Sequence, residues 1–323
     1  MTIPSNRSVH RWVLRRAVIA VLQVLVLLML IFGLSVLLPG DAADVQSSDL
    51  TTSVQRETTR RLLGLDVSPV LRFASWLGRL LHGDLGISYA QGIPVSQVIG
   101  LPLAESALLA FLATVLLVPI GGLLGFLGGL RPGGLPDRLI TTVAVLLDAI
   151  PEFVLAVLLV SWLAVGAGLV PATAIGVDLA GLITRPIYLV LPLLIITART
   201  AAPVVRLVRA GVIDVMDRPY IRQAARLGVT RWSLLVRHVA PNALGPAIQD
   251  LARTGSGLLG GVLVVEAIFV LPGIATTTMD AISTRDQPVL MAVMLIIGSV
   301  SIMINTVVDL IGRRLVPAGE LVG

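Results

Sequence analysis

The stretch YIRQAARLGVTRWSLLVRHVAPNAL, from Tyr220 to Leu244, interrupts an otherwise apolar chain with four arginines and one histidine. Long apolar runs precede and follow it, so it connects two parts of a hydrophobic protein. Its pattern predicts two short helices, because Gly228 can end the first in a left-handed conformation and Thr230 can cap the second. Pro241 predicts a further break, where the next apolar helix starts.

The composition predicts a membrane protein. Of 323 residues, 56% are hydrophobic and only 13% are charged, which is too little charge to cover a soluble domain of this size. Aromatic residues make up 4%, which argues against the aromatic girdles of an outer-membrane barrel. Unbroken apolar runs favour helices over alternating strands. We therefore predict an all-α integral membrane protein.

The residue inventory excludes several kinds of chemistry. The chain has no cysteine, and all 24 of its basic residues are arginine. Without lysine it cannot carry a standard Walker A phosphate loop or form a Schiff base, and without cysteine it has no disulfide or thiolate metal site. The three histidines are far apart in the sequence, which disfavours a histidine metal site. We expect no catalytic residue, metal or bound cofactor in this chain.

Six apolar segments are long enough to cross a bilayer at a rise of about 1.5 Å per residue. They lie at about residues 17–38, 103–130, 139–165, 187–208, 243–270 and 289–311. The first could instead be a cleaved signal peptide, since Ala42 and Ala43 follow it. Its apolar run exceeds the roughly 7–15 residues of a signal core, so we predict an uncleaved transmembrane helix.

The positions of the arginines predict the topology. They cluster in the connections on one side of a six-helix arrangement, namely residues 1–16, 131–138, 206–237 and 313–314. Under the positive-inside rule both termini are cytoplasmic. The predicted plan is a cytoplasmic segment 1–16, a first helix 17–38, an extracytoplasmic subdomain 39–100, a five-helix core 101–312 containing a cytoplasmic loop 214–241, and a cytoplasmic tail 313–323. Within the subdomain, 51–65 and 70–81 are predicted to be short amphipathic helices.

The basic residues of the opening stretch predict one charged helical face. Arg218, Arg222 and Arg226 recur every four residues. Small or apolar surface beside this face is expected from Ile221, Ala224, Ala225 and Gly228. Spacing alone favours contact with anionic lipid, or a simple positive-inside anchor, over docking to a soluble partner.

A family resemblance favours docking to a soluble partner over lipid contact. The order Tyr220-Ile221-Arg222-x-Ala224-x-x-x-Gly228, then Arg237-His238 and Pro241-Asn242-Ala243, resembles the EAA loop of ABC-type importer permeases. It is most similar to the dipeptide, oligopeptide and nickel group, first-permease type. The resemblance spans almost the whole chain. Further motifs match in order at Leu37–Asp41, Leu65-Asp66, Gly83–Ser88, Ile150–Phe153, Arg206–Arg209, Gly260–Gly273 and Asn305–Asp309.

This resemblance implies a fold and a set of partners. The fold is the type I ABC importer permease, with six transmembrane helices and a cytoplasmic coupling helix. The implied partners are a second homologous permease, two ATP-binding subunits that hold ATP and magnesium, and an extracytoplasmic substrate-binding protein. The implied location is the bacterial cytoplasmic membrane, with lipid contact and no nucleic acid. Dipeptides or oligopeptides are the implied substrates, with nickel or another small solute as the alternative.

The resemblance also implies functional residues. Those expected to couple to the ATPase are Tyr220, Ile221, Arg222, Ala224, Ala225, Arg226, Gly228, Arg237, His238 and Pro241. Those expected to contact the binding protein are Asp84, Leu85, Gly86 and Ser88. The loop departs from the family pattern at Pro219, Gln223, Ala225 and Leu227, so individual contacts to the ATPase cannot be copied onto it.

Charged residues within the predicted spans are a second departure. Asp148 and Glu152 lie one turn apart on the third predicted helix, and Asp250 and Arg253 lie on the fifth. Charges at this depth are costly. They could form an internal salt-bridge network with Arg199 or Arg253, or line the translocation path and favour a cationic group. A proton-coupled secondary transporter is the rival from another class, but the inverted repeats expected of one are not evident in the sequence.

Overall fold

The computed structural model describes the backbone of residues 6–37, 40–46 and 53–315, and within them all side chains except those of 6–13, 245–259 and 308–315. The regular elements of these residues are helices, as the composition predicts. They are α1 (Asn6–Leu37), α2 (Ala42–Gln46), α3 (Ser53–Leu62), α4 (Pro69–Leu80), α5 (Val95–Gly129), α6 (Leu135–Ala149), α7 (Glu152–Leu159), a π-helical turn (Val160–Gly166), α8 (Leu179–Thr184), α9 (Ile187–Met216), α10 (Pro219–Arg226), α11 (Arg231–Leu234), a second π-helical turn (Leu235–Val239), α12 (Ala240–Phe269), α13 (Ile274–Ser283) and α14 (Gln287–Leu315).

Four helices of the described chain are each long and apolar enough to cross a membrane: α1, α5, α9 and α14. Two bent helix pairs bring the number to six if each pair is one span. One pair is α6 with α7 and its π-helical continuation, and the other is the end of α12 with α13. The six apolar segments predicted from the sequence each fall on one of these elements.

The third predicted span is not one straight helix. It breaks at Ile150 and Pro151, and the two halves are inclined at 106°. Ile150 is extended, with φ −85° and ψ 124°, because a residue that precedes proline avoids the helical conformation. The prediction that Asp148 and Glu152 lie one turn apart on one helix is therefore wrong. Asp148 lies in the last turn of α6, whereas Glu152 begins α7.

The helices form two compact units, residues 1–104 with 272–303 and residues 105–271 with 304–323. In the first unit, Leu28, Phe32, Trp76 and Met291 form a buried apolar cluster. Its members lie on the three helices α1, α4 and α14. The helix α4 is amphipathic, and its apolar face places Trp76 against α1 and α14. The predicted amphipathic helices at 51–65 and 70–81 are confirmed as α3 and α4.

The second unit is built around α9, whose buried residues run along most of its length. Gly121, Gly125 and Gly129 of α5 lie against it. A β-carbon on any of the three would lie 2.6–2.7 Å from an atom of α9. Glycine at this four-residue spacing lets two membrane helices approach closely. The close approach fixes the position of α9, which leads directly into the basic segment.

That segment folds as two short helices, with one difference from prediction. Gly228 has φ +83° and ends α10, and Thr230 is the N-terminal cap position of α11, although its side chain makes no capping hydrogen bond. Pro241 does not mark a break: the second π-helical turn leads directly into α12. Pro241 lies in the first turn of α12, where a missing N–H is tolerated.

Candidate functional site

One side of the helix α10 packs against the rest of the second unit, and the other side is exposed. Ile221 is buried in the apolar core of the second unit, and Ala224 packs against that core. Tyr220, Arg222 and Arg226 are exposed, as is Ala225. The prediction that Ile221 contributes to the surface is wrong, because its side chain holds α10 onto the bundle. The exposed residues are those left to meet another molecule.

The basic face of α10 contains fewer arginines than the spacing predicts. Arg218 has extended backbone and precedes the helix, and its Nη2 lies 2.9 Å from Asp214 Oδ2 at the end of α9. Arg222 donates from Nη2 to the carbonyl of Asp217 at 2.6 Å. Arg222 and Arg226 alone form the helical basic face, while Arg218 joins the helix to α9.

Two large apolar side chains flank this face, and the sequence reasoning missed them. Leu227, immediately before Gly228, and Trp232, two residues after Thr230, are each 77% exposed. Of the remaining predicted coupling residues, Arg237, Pro241 and Gly228 are exposed and His238 is half-buried. An aromatic and an aliphatic side chain beside two arginines is a combination enriched at protein interfaces. Trp232 would have been found from its place in an otherwise polar, basic loop.

The acidic residues of the third predicted span pair with arginines of α9. Arg199 Nη1 lies 3.2 Å from Glu152 Oε1, and Arg206 Nη2 donates to Asp148 Oδ2 at 2.9 Å. The Arg199 pair was one of two readings left open by the sequence. Glu152 also packs over Gly261 of α12, where a β-carbon would lie 3.1 Å from its Oε1.

A third arginine of α9 makes the most buried of these pairs. Arg209 donates from Nε and, at 2.8 Å, from Nη2 to the two oxygens of Asp137 on α6. Asp137 Oδ2 also accepts from the backbone N–H of Gly133 at 2.7 Å. Asp137 therefore closes the turn between α5 and α6 and holds it on α9. The predicted path residues Asp250 and Arg253 lie on α12, but their side chains are outside the described part of the chain.

The predicted binding-protein motif forms a tight loop in the first unit. Asp84 is exposed, and its Oδ1 accepts from the N–H of Gly86 at 2.8 Å. The carbonyl of Leu85 accepts from Trp76 Nε1 at 3.1 Å, and Gly86 has φ +95°. Gly86 and Ser88 are buried, so Asp84 and the half-buried Leu85 are the members with accessible side chains.

A distant carboxylate organises this loop. Asp286, just before α14, is buried and accepts a hydrogen bond from the hydroxyl of Ser88. It also accepts from the backbone N–H groups of Tyr89 and Ala90, each at 3.1 Å. No local pattern could have revealed this contact, because the partners are about 200 residues apart. Asp286 is a structural residue of the loop at 84–90 that the sequence reasoning missed.

A polar cavity of about 310 Å³ lies beside the same loop. Asp41 and Arg60 form an ion pair in its wall at 2.8 Å, and the attraction of Asp41 raises the pKa of the Arg60 guanidinium. Burial raises the pKa of the Tyr89 phenol above its ordinary value, although Arg72 and Arg79 act in the opposite direction. The tyrosine is therefore neutral and can donate a hydrogen bond across the neutral pH range.

The comparisons with known proteins agree on one family. Residues 118–318 match the model for the binding-protein-dependent transport system inner membrane component, and residues 9–100 match the model for the N-terminal part of such components. A putative peptide transport system permease protein of Brucella abortus is 33% identical over 93% of this chain and 95% of its own length. A glutathione transport system permease protein of Pectobacterium atrosepticum is 32% identical over 91% of this chain and 94% of its own.

A solved structure agrees on the fold. An amino acid ABC transporter crystallised with histidines has a chain that superposes with a TM-score of 0.53 at 17% sequence identity, covering 68% of this chain and 94% of that one. The prediction of an all-α permease fold is confirmed. With its membrane-capable helices, its basic loop between two of them and these matches over nearly its full length, this chain belongs to the binding-protein-dependent transport system inner membrane components, as a permease subunit of an ABC transporter.

Proposed function

We propose that this permease imports dipeptides or oligopeptides and that α10 transmits the action of ATP-hydrolysing partner subunits to the membrane helices. The observation that carries the proposal is the construction of α10: it is exposed on one side, anchored by Ile221 on the other, and follows α9 after two residues. The relatives named for peptide and glutathione transport support the substrate class.

The coupling surface consists of the exposed residues Arg222, Arg226, Leu227 and Trp232, with Tyr220 at its edge. A groove in an ATPase subunit would receive the apolar side chains and pair with the arginines. Because α9 is buried along most of its length, a rigid displacement of α10 would move the bundle as a body. The left-handed Gly228 sets the angle between α10 and α11.

The assembly that we propose contains a second homologous permease, two ATP-binding subunits and an extracytoplasmic binding protein. ATP and magnesium bind to the ATPase subunits, and this chain holds no cofactor and hydrolyses nothing. We further propose that the chain lies in the bacterial cytoplasmic membrane with both termini in the cytoplasm. The arginines at 131–138 and 206–237 support that orientation.

Contact with the binding protein would fall to the loop at 84–90. Asp84 and Leu85 present accessible side chains, whereas Ser88 and Asp286 hold the loop in shape from within. Nickel complexes or another small solute are the alternative cargo, since substrate choice in such a system is made largely by the binding protein.

The test is reconstitution of the five-subunit complex in vesicles, with ATP on the side of the ATPase subunits. We expect uptake of dipeptides from a defined mixture to require ATP, the binding protein and an intact α10. ATP-dependent uptake of nickel complexes but of no peptide would move the assignment to the alternative. Uptake without any ATP-binding subunit would refute the proposal.

A further inference from the structure

Two arginines of α9 lie on one face of the helix, Arg199 well inside the apolar segment at 187–208 and Arg206 near its end. Arg199 and Arg206 are seven residues apart, which is close to two helical turns and about 10 Å along the axis. Each is paired with an acidic residue next to the break between α6 and α7, Arg199 with Glu152 and Arg206 with Asp148. The break therefore places two ion pairs side by side along α9.

In both pairs the arginine is the more accessible partner. The side chain of Arg199 is 44% exposed against 12% for Glu152, and that of Arg206 is 46% exposed against 34% for Asp148. In the described part of the chain each guanidinium contacts one carboxylate through one terminal nitrogen. A guanidinium has five N–H donors, so each of the two has donors that no described side chain accepts.

A purely structural role explains this arrangement poorly. Replacing a buried ion pair by apolar residues of similar volume is often neutral or stabilising, so helix packing alone does not require charges here. Half-exposed guanidinium groups within a membrane span must face water, a partner subunit or an anionic ligand, because contact with lipid tails is costly. The third pair, Arg209 with Asp137, differs because the Asp137 carboxylate is only 4% exposed and also closes a turn.

We infer that Arg199 and Arg206 bind the carboxylate of the transported molecule in succession as it passes along α9. The inference rests on the proposed function and specifies its substrate as a compound with a free carboxylate. The charge preference is the reverse of the one suggested by the sequence, where Asp148 and Glu152 were candidates to favour a cationic group. Here the two acids hold the guanidinium groups in place and lower their net charge.

This partial neutralisation suits a transport site. A ligand must bind well enough to enter but weakly enough to leave, and sites in sequence favour passage from one to the next. An unpaired arginine in a low-dielectric passage would hold a carboxylate strongly. An arginine that is already paired with Glu152 or Asp148 binds a carboxylate more weakly. The second such site lies about 10 Å further along the helix axis.

The experiment uses the complete complex in vesicles with a mixture of dipeptides, and it measures dipeptide uptake per ATP hydrolysed. The double variant Glu152→Leu with Arg199→Met removes the pair but keeps apolar packing. We expect it to lower the ratio at least tenfold. The double variant Glu57→Leu with Arg61→Met removes an exposed pair of α3 and is expected to leave the ratio unchanged.

Two further variants separate binding from structure. Exchanging the charges, as Glu152→Arg with Arg199→Glu, restores a pair but presents a carboxylate to the passage, so uptake should stay as low as in the apolar variant. Arg199→Lys keeps both the cation and the pair but loses the planar donors, and it should lower uptake per ATP three- to tenfold. A ratio within twofold of wild type in the apolar or the exchanged variant would overturn the inference. If neither assembles, a wild-type ratio in Arg199→Lys would overturn it.

The outcome also distinguishes this inference from the function on which it rests. If wild-type vesicles take up no dipeptide with ATP, the proposed function fails. If wild type and all α9 variants transport dipeptides equally, only the inference about Arg199 and Arg206 fails.

Discussion

Asp137 and Arg209 form a two-point ion pair that fixes the turn between α5 and α6 to the C-terminal third of α9. The Asp137 carboxylate is almost completely buried, and a third donor, the N–H of Gly133, bonds to it as well. The pair packs against Gly128 of α5, where a β-carbon would lie 3.6 Å from Asp137 Oδ1. Three helices therefore meet at one charged contact.

The first prediction concerns the loss of this contact. Asp137→Asn leaves the Arg209 guanidinium without its counter-charge in a partly buried position, and breaking such a pair costs roughly 3 kcal/mol. We expect the midpoint of thermal denaturation in detergent to fall by several degrees. Asp214→Asn removes the exposed Arg218 pair and should change it little. Equal midpoints for the two variants would contradict the role given to Asp137.

The second prediction concerns the glycines that let α5 approach α9. A β-carbon at Gly125 would lie 2.7 Å from the carbonyl oxygen of Val205, whereas one at Gly122 would meet nothing within 4 Å. Gly125→Ala should destabilise the protein by about 1–3 kcal/mol through overpacking. Gly122→Ala should be neutral or stabilising by up to about 1 kcal/mol, because alanine is the better helix former. Denaturation of the two variants side by side is the measurement, and a stable Gly125→Ala variant would exclude the close approach.

The third prediction concerns the buried carboxylate of Asp286, which holds the loop at 84–90. Asp286→Ala leaves the Ser88 hydroxyl and two backbone N–H groups without their acceptor, which costs about 1–3 kcal/mol for each buried group left unbonded. Hydrogen exchange at residues 86–94 should become faster by at least tenfold. Asp280→Ala, an exposed residue of α13, is the matched control and should not change it. Unchanged exchange in Asp286→Ala would show that the loop does not depend on this contact.

The fourth prediction concerns the end of α10. Gly228 has φ +83° and open space around it, so a side chain there is strained by its backbone conformation alone, at roughly 1–2 kcal/mol. Gly228→Val should tilt or fray α10 and reduce uptake per ATP hydrolysed, while the protein still inserts into the membrane. Gly78→Ala in α4, also with open space, serves as the control. If uptake per ATP hydrolysed in Gly228→Val equals that of the wild type, coupling does not depend on the geometry of this turn.

The fifth prediction concerns the basic face. Arg226→Glu reverses a charge that is exposed at the end of α10, and it should weaken the affinity of the ATPase subunits at least tenfold in a pull-down or titration with purified components. Arg131→Glu makes the same change on the exposed turn before α6 and should have a smaller effect. Equal losses of ATPase affinity in the two variants would show that the effect comes from net charge and not from a docking surface.

Local sequence patterns predicted much of this molecule. Apolar length predicted the membrane-capable helices, and Gly228 and Thr230 predicted the turn between α10 and α11, because helix ends depend on residues close in sequence. The motif resemblance predicted the family. The break at Pro151 was also readable in principle, since Ile150-Pro151 cannot continue a helix without strain.

Contacts between distant residues were not predictable in the same way. Ser88 and Asp286 are brought together by packing of the first unit, and no spacing rule connects them. Ile221 was expected at the surface because helical periodicity defines faces but not which face is covered. Arg218 was placed on the helix by its spacing, whereas the structure leaves it before Pro219, paired with Asp214.

The measurement that tests the central claim most directly is dipeptide uptake by vesicles that contain this chain with its permease, ATPase and binding-protein partners. One set receives ATP without a proton gradient, and the other receives a proton gradient without ATP. We predict uptake in the first set, loss of that uptake with Arg226→Glu, and none in the second set. Uptake driven by the proton gradient alone would contradict the assignment of this chain as an ATP-coupled permease.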